Sequence, residues 1–242
     1  MHQLLHVRRI TDNFKYERLG KINDGGYIVV SDKADSLSAS KIAYSFGISD
    51  DVSFDLDLAK RGYEVFMYDH TIKKLPQYNE HFHWKKLGLA ASPDPSLKLD
   101  ALTNMIRTNG HENISGMFLK MDIEGYEWEV FNSLPMDILE KFDQIVLEIH
   151  DLLDYDEESI EKHLSALSKI AQTHQAVHVH ANNFGCVNYC GNLVTPSFLE
   201  VTYALKNKYN FSDDKIENIR LSLDRPNSTG REDLELGEWN VN

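Results

Sequence analysis

Short apolar runs rich in β-branched residues alternate along this chain with segments of helical periodicity, and this alternation limits the fold more than any other feature. It is typical of α/β proteins, in which helices cover both faces of a mostly parallel sheet. The segment between the last two runs is rich in turn residues, so we expect the last strand to return antiparallel. The sequence predicts a Rossmann-like, seven-stranded sheet with strands at 41–47, 64–69, 81–90, 116–122, 143–150, 176–183 and 197–205.

The connections between these strands have helical spacing. Helices are predicted at 52–62, at 97–110, at 126–134 and after His150. Two of them are marked by apolar residues that recur on one face, namely Leu99, Leu102, Met105 and Ile106 in one helix and Ile160, Leu164, Leu167 and Ile170 in the other.

We interpret residues 1–242 as one domain with an N-terminal extension (1–40), a Rossmann-like core (41–205) and an irregular C-terminal tail (206–242). The formal net charge of −13 disfavours nucleic acid as a partner, because phosphate binding depends on lysine and arginine. No apolar run approaches the roughly 20 residues that cross a bilayer. The two cysteines fit a reducing compartment better than a secreted protein. We therefore expect a cytoplasmic protein that does not bind membranes.

Glycine and acidic residues collect where the first two predicted strands end. Open α/β sheets bind ligands at the carboxyl ends of their strands. Asp69 closes the second strand, where a carboxylate suits both ribose hydroxyl groups of a nucleoside; capping of the loop is the alternative. Gly47 closes the first strand and allows a cofactor to approach the backbone. The G-x-G-x-x-G pattern is missing, which favours S-adenosylmethionine over a dinucleotide.

Four residues at the later strand ends are candidate proton acceptors for a hydroxyl group, namely Asp122, Glu148, His150 and His180. His150 alternates with Glu148, which puts both on one face of their strand, and imidazole titrates near neutral pH. A histidine bonded to a neighbouring carbonyl group is the alternative for His150. His180 ranks above His178 because it lies nearer the carboxyl edge, whereas His178 fits core packing.

Metal binding is a second interpretation of two of these carboxylates. Asp122 and Glu148, at adjacent strand ends, would share a Mg²⁺ ion, which prefers carboxylate oxygens. His81 and His83 also have the spacing of metal ligands, but an exposed strand edge explains them better. The two cysteines, Cys186 and Cys190, lack the further Cys or His pair of a zinc site.

Several segments of the chain resemble those of FkbM-like methyltransferases. In chain order they are YSFGISDDVSFDLDLAKRG, VFMYDHT, GLAAS, FLKMDIEGYEWEVF and IVLEIH, and the block KMDIEGYEWEVF is the most specific. DGGYIVV, HVHANNFG, PSFLEVTY and LDRPN resemble the bacterial branch of that group. The resemblance implies a class I S-adenosylmethionine fold and O-methylation, often in the synthesis of surface polysaccharides.

The same resemblance implies which residues bind the cofactor. Ala90 would lie near the adenine and Asp122 would face the methyl group. The turn sequence DGGY, which alone predicts a hairpin, would fold over the site and bring Asp24 or Tyr27 to the cofactor or substrate. The implied cofactor-binding set is Gly26, Tyr27, Gly47, Ser49, Asp69, His70, Ala90 and Asp122.

The resulting hypothesis is an S-adenosylmethionine-dependent O-methyltransferase for a small molecule, a sugar or a nucleotide-linked sugar. A methyltransferase for a non-sugar acceptor, such as a phosphorylated metabolite, is the first alternative. A nucleoside-binding domain without catalysis is the second. The sequence leaves homo-oligomerisation open.

Overall fold

Every residue of the central strands at Met117–Met121 and Phe142–Ile149 is buried, and most of these residues are apolar, as expected for a sheet covered on both faces. The computed structural model describes residues 1–11, 13–216 and 218–240. A short 3-10 helix at His2–Leu5 comes first. The strands are β1 (Lys15–Leu19), β2 (Tyr27–Ser31), β3 (Ile42–Phe46), β4 (Glu64–Tyr68), β5 (Phe82–Lys85), β6 (Gly88–Leu89), β7 (Leu99–Asp100), β8 (Met117–Met121), β9 (Phe142–Ile149), β10 (His174–Ala181), β11 (Val187–Cys190), β12 (Leu193–Pro196) and β13 (Leu199–Leu205). The helices are α1 (Ser53–Lys60), α2 (Leu102–Thr108), α3 (Glu127–Ser133), α4 (Met136–Leu139) and α5 (Glu157–Thr173).

The central sheet has seven strands in the order β10-β13-β9-β8-β3-β4-β5. Strands β3, β4, β5, β8 and β9 pair in parallel, whereas β13 pairs antiparallel with both of its neighbours. The predicted α/β class, the number of strands and the antiparallel last strand are therefore confirmed. The chain crosses from one half of the sheet to the other beside β3, and such a switch point is where open α/β sheets bind ligands. Within the described residues, no helix is long and apolar enough to span a bilayer.

One predicted helix and one predicted strand differ from the structure. The helix expected over 97–110 begins only at Leu102, and Leu99 lies in β7, where it pairs with Gly88. Asp94 closes a turn ahead of this strand. Its backbone carbonyl oxygen accepts the Leu99 backbone N–H, and its Oδ1 atom accepts the Ser96 backbone N–H. The strand expected over 81–90 accordingly separates into β5 and β6. The helix predicted over 97–110 is wrong in its first turn, because the Asp94 turn and the pairing of β6 with β7 replace helical hydrogen bonds there.

The N-terminal extension forms a hairpin that packs on the central sheet. Strands β1 and β2 pair antiparallel, and β2 is buried throughout. The side-chain amide of Gln144 in β9 bonds the backbone N–H and carbonyl groups of Val30 at 2.9 and 2.6 Å. The hydroxyl group of Thr202 in β13 donates to the Ile28 carbonyl oxygen at 2.5 Å. DGGY lies in the β1–β2 connection, as its turn chemistry predicts, and Tyr27 begins the buried strand.

The C-terminal tail has no regular helix in its described part, yet it belongs to the core. Trp239 is buried and donates its indole N–H to the Leu5 carbonyl oxygen at 3.2 Å. The side-chain amide of Asn240 pairs with the backbone of Val7 through bonds of 2.9 and 2.8 Å. The tail therefore closes the fold by holding the N-terminal segment.

The ends of β3 and β8 approach each other unusually closely at Gly47. The backbone of Gly47 has φ of +74°. A Cβ atom at this position would lie 1.6 Å from the carbonyl oxygen of Asp122, so no larger residue fits without moving the backbone. The Lys120 ammonium group donates to the Gly47 and Phe46 carbonyl oxygens at 2.6 and 3.2 Å, and these bonds stabilise the same turn.

We expect Gly47→Ala to lower the free energy of unfolding by about 2–5 kcal/mol, because a positive φ costs about 1–2 kcal/mol and the overlap with Asp122 adds a packing cost of about 1–3 kcal/mol. Gly62→Ala is the matched control, since Gly62 has φ of +79° and nothing within 4 Å of its Cβ position. Urea denaturation of both variants measures the difference. Equal losses of stability would contradict the close contact.

We expect Trp239→Ala to lower the free energy of unfolding by about 3–5 kcal/mol, the range for truncating a large buried aromatic residue. The neighbouring variant Glu238→Ala is the control, because Glu238 is exposed and should change stability by less than about 0.5 kcal/mol. Urea denaturation followed by circular dichroism compares them. A Trp239→Ala variant as stable as the control would mean that the tail is not part of the core.

Candidate active site

The register of the sheet brings residues from six strands to the same height. Phe46 lies opposite Tyr68 on one side and Met121 on the other, and Met121 lies opposite Leu147. Further along, Glu148 pairs with Glu200, which pairs with His180. One step beyond Phe46 these positions form a single line, which we name the carboxyl-end row: Asp69, Gly47, Asp122, Glu148, Glu200 and His180.

Asp69 ties the loop after β3 to the loop after β4. Its Oδ2 accepts the backbone N–H groups of Ile48 and Ser49 at 2.9 and 3.0 Å, and its Oδ1 accepts the N–H and hydroxyl groups of Thr71 at 2.7 and 2.6 Å. Burial opposes ionisation, but these hydrogen bonds lower the pKa of Asp69 to about 2. The predicted capping alternative is thus present, and contact with a nucleoside would add to these bonds.

The other residues of the implied cofactor set surround these two loops. Ser49 has a positive φ of 50° in the turn after Gly47. His70 is exposed, and its ring lies so near the Gly88 backbone that a Cβ atom there would be 2.4 Å from His70 Nδ1. Ala90 follows β6 and donates its backbone N–H to the Asp100 carbonyl oxygen at 3.0 Å.

The β1–β2 turn leans on the loop after β3. A Cβ atom on Gly25 would lie 2.4 Å from Asp51 Oδ2, and Gly26 packs against the Lys21 carbonyl oxygen. The Lys21 ammonium group forms an ion pair with Asp51 at 3.4 Å. The β1–β2 turn, which includes Gly26, therefore lies beside the loop after β3, where the cofactor is predicted to bind.

Tyr27 joins two carboxylates of the carboxyl-end row. Its hydroxyl group lies 2.9 Å from Asp122 Oδ2 and 3.5 Å from Glu148 Oε2. The side-chain amide of Asn182 donates to Glu148 Oε1 at 2.5 Å. Burial, followed by the charges of Asp122 and Glu200, raises the pKa of Glu148 well above its usual value. Glu148 is thus enclosed, whereas Asp122 keeps its Oδ1 atom free of hydrogen bonds within the described residues.

This arrangement does not favour a magnesium ion shared by Asp122 and Glu148. The Tyr27 hydroxyl group lies between the two carboxylates, and Asn182 occupies the remaining oxygen of Glu148. Magnesium needs several oxygen ligands in near-octahedral geometry, and three of these four carboxylate oxygens are already bonded.

His150 lies at the end of β9, next to Asp122. Its Nδ1 atom is 3.2 Å from Glu127 Oε1, and its Nε2 atom is 3.6 Å from Glu124 Oε2 and 3.9 Å from Asp122 Oδ1. Burial opposes the charge, but the bond to Glu127 and the nearby carboxylates raise the pKa of His150 to about 9. The alternative interpretation gave His150 a neighbouring carbonyl group as partner, but its neighbours are carboxylates. Its pKa therefore lies above the near-neutral value that residue type alone suggests.

His180 has both ring nitrogens bonded to carboxylates. Nδ1 lies 3.2 Å from Glu200 Oε2, and Nε2 lies 3.0 Å from Asp233 Oδ1 in the tail. Burial opposes protonation, but these bonds raise the pKa of His180 to about 10. Both ring nitrogens of His180 are therefore occupied, an arrangement that does not favour its predicted role as a proton acceptor. His178 pairs with Asp224 at 2.8 Å in the interior, in line with core packing.

Some residues of the site were not predicted. Glu127 is buried, and its two oxygens accept the backbone N–H groups of Ile123 and Gly125 at 2.7 and 3.0 Å, which shapes the loop after Asp122. Glu200 is buried in an apolar strand and accepts the Asn227 side-chain amide at 2.6 Å. A charged residue inside an apolar segment was the available signal, since such a residue is rarely buried without a partner.

The histidine and cysteine pairs for which the sequence does not favour metal binding lie apart from the site. His81 and His83 each bond Glu64, at 2.8 and 2.6 Å, on a partly exposed strand edge. Cys186 and Cys190 are exposed and free. Among the residues that the structure describes, a group with the spacing of metal ligands is instead Asp122, Glu124 and His150.

Curated proteins that resemble this chain match it over less than half of its length. The chain is 30% identical over 118 residues to probable methyltransferase-like protein 24 of Homo sapiens and of Rattus norvegicus. The alignment covers 44% of this chain and 32% of those proteins, so it spans about a third of the length of these curated relatives.

Two solved structures resemble part of this chain at low sequence identity. A protein of Streptococcus mutans, provisionally assigned as a SAM-dependent methyltransferase, is 10% identical with a TM-score of 0.41 over 78% of this chain and 55% of its own. SMU.776, a provisionally assigned methyltransferase in complex with S-adenosylhomocysteine, is 9% identical with a TM-score of 0.41 over 74% of this chain and 53% of its own. These scores are too low to support a functional inference.

The family match is more extensive. The Methyltransferase FkbM domain matches residues 16–184, which is more than half of the 242 residues. The matched range contains the β1–β2 hairpin, the loops after β3 and β4, and the residues Asp122, Glu148 and His150. The chain therefore belongs to the FkbM family of S-adenosylmethionine-dependent methyltransferases.

Proposed function

We propose that this protein transfers a methyl group from S-adenosylmethionine to a hydroxyl group of a sugar or a nucleotide-linked sugar. The observation that carries the proposal is the Oδ1 atom of Asp122, which accepts no hydrogen bond within the described residues and belongs to the residue whose backbone carbonyl group lies against the Gly47 turn. Asp122 is the part-exposed carboxylate of the carboxyl-end row, with 25% of its side chain accessible. A methyl donor held by the Gly47 turn and an acceptor held by Asp122 would meet at this point.

The donor is bound on the Gly47 side in this proposal. The backbone of Gly47 and Ser49 would approach its amino-acid end, and the Asp69 loop would hold its ribose. The sulfonium carries a positive charge, which the carboxylate of Asp122 attracts. Methyl transfer removes that charge, so the protein's main contribution is to align the acceptor oxygen, the methyl carbon and the sulfur atom.

The acceptor hydroxyl group would donate a hydrogen bond to Asp122 Oδ1. As the new carbon–oxygen bond forms, the hydroxyl proton becomes acidic and passes to this carboxylate. The Tyr27 hydroxyl group holds the other oxygen at 2.9 Å and so sets the direction of Oδ1. Glu148 acts through Tyr27 and Asn182, as a positioning residue.

Exposed aromatic side chains near the carboxyl ends of the strands support a sugar as acceptor. Tyr126, Tyr155, Phe184 and Tyr189 are exposed and lie in the segments that follow β8, β9 and β10. Aromatic faces provide a large, rigid contact area of the kind that packs on the C–H faces of sugar rings. Tyr155 is also held by the side-chain amide of Asn188 at 3.2 Å.

A metabolite with a phosphate group next to its acceptor hydroxyl group fits this site less well. The ammonium group of Lys120, 3.6 Å from Asp122, is already bonded to the carbonyl oxygens of Phe46 and Gly47. Phosphate recognition depends on cations with free donors. Nucleotide-linked sugars are made in the cytoplasm, where we therefore expect the protein to act.

We expect Asp69→Ala to weaken S-adenosylmethionine binding by at least about 100-fold, because two loops and a ribose lose one charged acceptor. Asp94→Ala is the matched control, since Asp94 Oδ1 accepts the N–H and hydroxyl groups of Ser96 at 2.9 and 2.6 Å, like Asp69 with Thr71. Titration calorimetry with S-adenosylhomocysteine measures both. Unchanged affinity in Asp69→Ala would remove the proposed donor site.

We expect Asp122→Asn to keep S-adenosylmethionine affinity within a few-fold and to lower turnover by about 100- to 10,000-fold, the usual contribution of a general base. Asp137→Asn, an exposed change in α4, is the control. The assay is release of S-adenosylhomocysteine with a mixture of nucleotide-linked sugars.

Two outcomes of that assay would overturn the proposal. Donor binding without turnover on any hydroxyl acceptor would favour a nucleoside-binding domain. Turnover with a phosphorylated metabolite but with no sugar would favour the non-sugar methyltransferase.

A further inference from the structure

Three side chains at the ends of β8 and β9 point their ligand atoms at one place. One oxygen each of Asp122 and Glu124 and one ring nitrogen of His150 lie within 4.8 Å of one another. The His150 Nε2 atom is 3.6 Å from Glu124 Oε2 and 3.9 Å from Asp122 Oδ1. Ligands about 2.1 Å from a metal ion lie about 3.0–3.4 Å apart. A rotation of the Glu124 side chain, which is 87% accessible, would shorten the first distance, and a shift of the Asp122 side chain, which is 25% accessible, would shorten the second.

The imidazole of His150 is buried but has an unused nitrogen. His150 is 6% exposed. Within residues 1–11, 13–216 and 218–240, its Nε2 atom has no hydrogen-bond partner, because both nearest oxygens are beyond hydrogen-bonding distance. An ion bound there would replace the proton on Nε2, because a ligating imidazole is neutral. The direction of Nε2, toward two carboxylate oxygens, is that of a metal ligand.

The other nitrogen of His150 has the partner that metal-bound histidines usually have. Its Nδ1 atom is 3.2 Å from Oε1 of Glu127, which is 1% exposed. A carboxylate behind a ligating imidazole fixes its tautomer and orientation, and this is a general feature of metal sites. Glu127 is itself held by the backbone N–H groups of Ile123 and Gly125, so the ring is oriented before any ion arrives.

We infer that Asp122, Glu124 and His150 form a binding site for a divalent first-row transition-metal ion such as Mn²⁺. One imidazole and two carboxylates suit such ions, whereas magnesium prefers oxygen ligands alone. Three protein ligands leave further positions open for solvent or a substrate oxygen. The Lys120 ammonium group lies toward the other oxygen of Asp122, so it does not occupy this place.

The consequence for catalysis rests on the proposed function. An ion at this place would bind the acceptor hydroxyl group and lower its pKa, and Asp122 would then hold the ion instead of taking the proton directly. Ion binding itself needs no methyl donor. The two ideas can therefore fail separately.

The test is titration of Mn²⁺ alone into the full chain after removal of metals with a chelator, followed by electron paramagnetic resonance. We expect about one tightly bound Mn²⁺ per chain, with nitrogen coupling from His150 in the spin-echo spectrum. Glu124→Gln should weaken binding by at least about 10-fold and His150→Gln should abolish the nitrogen coupling. Glu124 is exposed, so its variant is expected to fold, which an unchanged unfolding midpoint would verify.

Glu64→Gln is the matched control, because it removes the second carboxylate–histidine group, with His81 and His83, and should leave Mn²⁺ binding unchanged. The inference is overturned if no Mn²⁺ binds at millimolar concentration, or if binding is lost in Glu64→Gln and kept in Glu124→Gln. S-adenosylhomocysteine affinity, measured in the same variants, separates this result from the donor site. Affinity kept in a protein that binds no Mn²⁺ would leave Asp122 as the direct proton acceptor.

Discussion

The parallel pairing of β3 with β4 and β8 places Asp69, Gly47 and Asp122 side by side, and the rest of the site depends on this register. A shift of one residue in either pairing would turn one of these side chains to the opposite face of the sheet. The Gly47 backbone lies against the Asp122 carbonyl group, and Lys120 fastens the turn through two backbone carbonyl groups. The proposed donor and acceptor sides are thereby held at a fixed separation without any side chain between them.

The carboxyl-end row contains four acidic residues, and hydrogen-bond donors from other parts of the fold stabilise them. Burying a carboxylate without a hydrogen bond is costly, so each acid of the row has donors. Tyr27 and Asn182 bond Glu148, while His180 and Asn227 bond Glu200. Tyr27 comes from the N-terminal hairpin and Asn227 from the tail. The terminal segments therefore complete the electrostatics of the site as well as its packing.

The two histidines of the predicted site differ for a physical reason that residue type does not reveal. Both are buried beside carboxylates, which raise the pKa of each. His180 bonds carboxylates through both ring nitrogens, whereas in the described part of the chain the Nε2 atom of His150 makes no hydrogen bond and faces Asp122 and Glu124. The difference arises because the tail supplies Asp233 as a partner for the second ring nitrogen of His180. At His150, Glu127 instead holds the backbone of the loop after β8, on both sides of Glu124.

The periodicity of apolar residues by itself determined the α/β class, the seven strands and the return of the last strand, since burial on both faces requires those patterns. It also located Asp69, Asp122, Glu148 and His150 at strand ends, because a polar residue after an apolar run marks where a strand leaves the core. Only the tertiary structure decided which of these atoms stay free. Hydrogen-bond partners such as Tyr27, Glu127 and Asp233 come from distant parts of the chain, and no local pattern encodes that a distant donor will occupy a given oxygen or nitrogen.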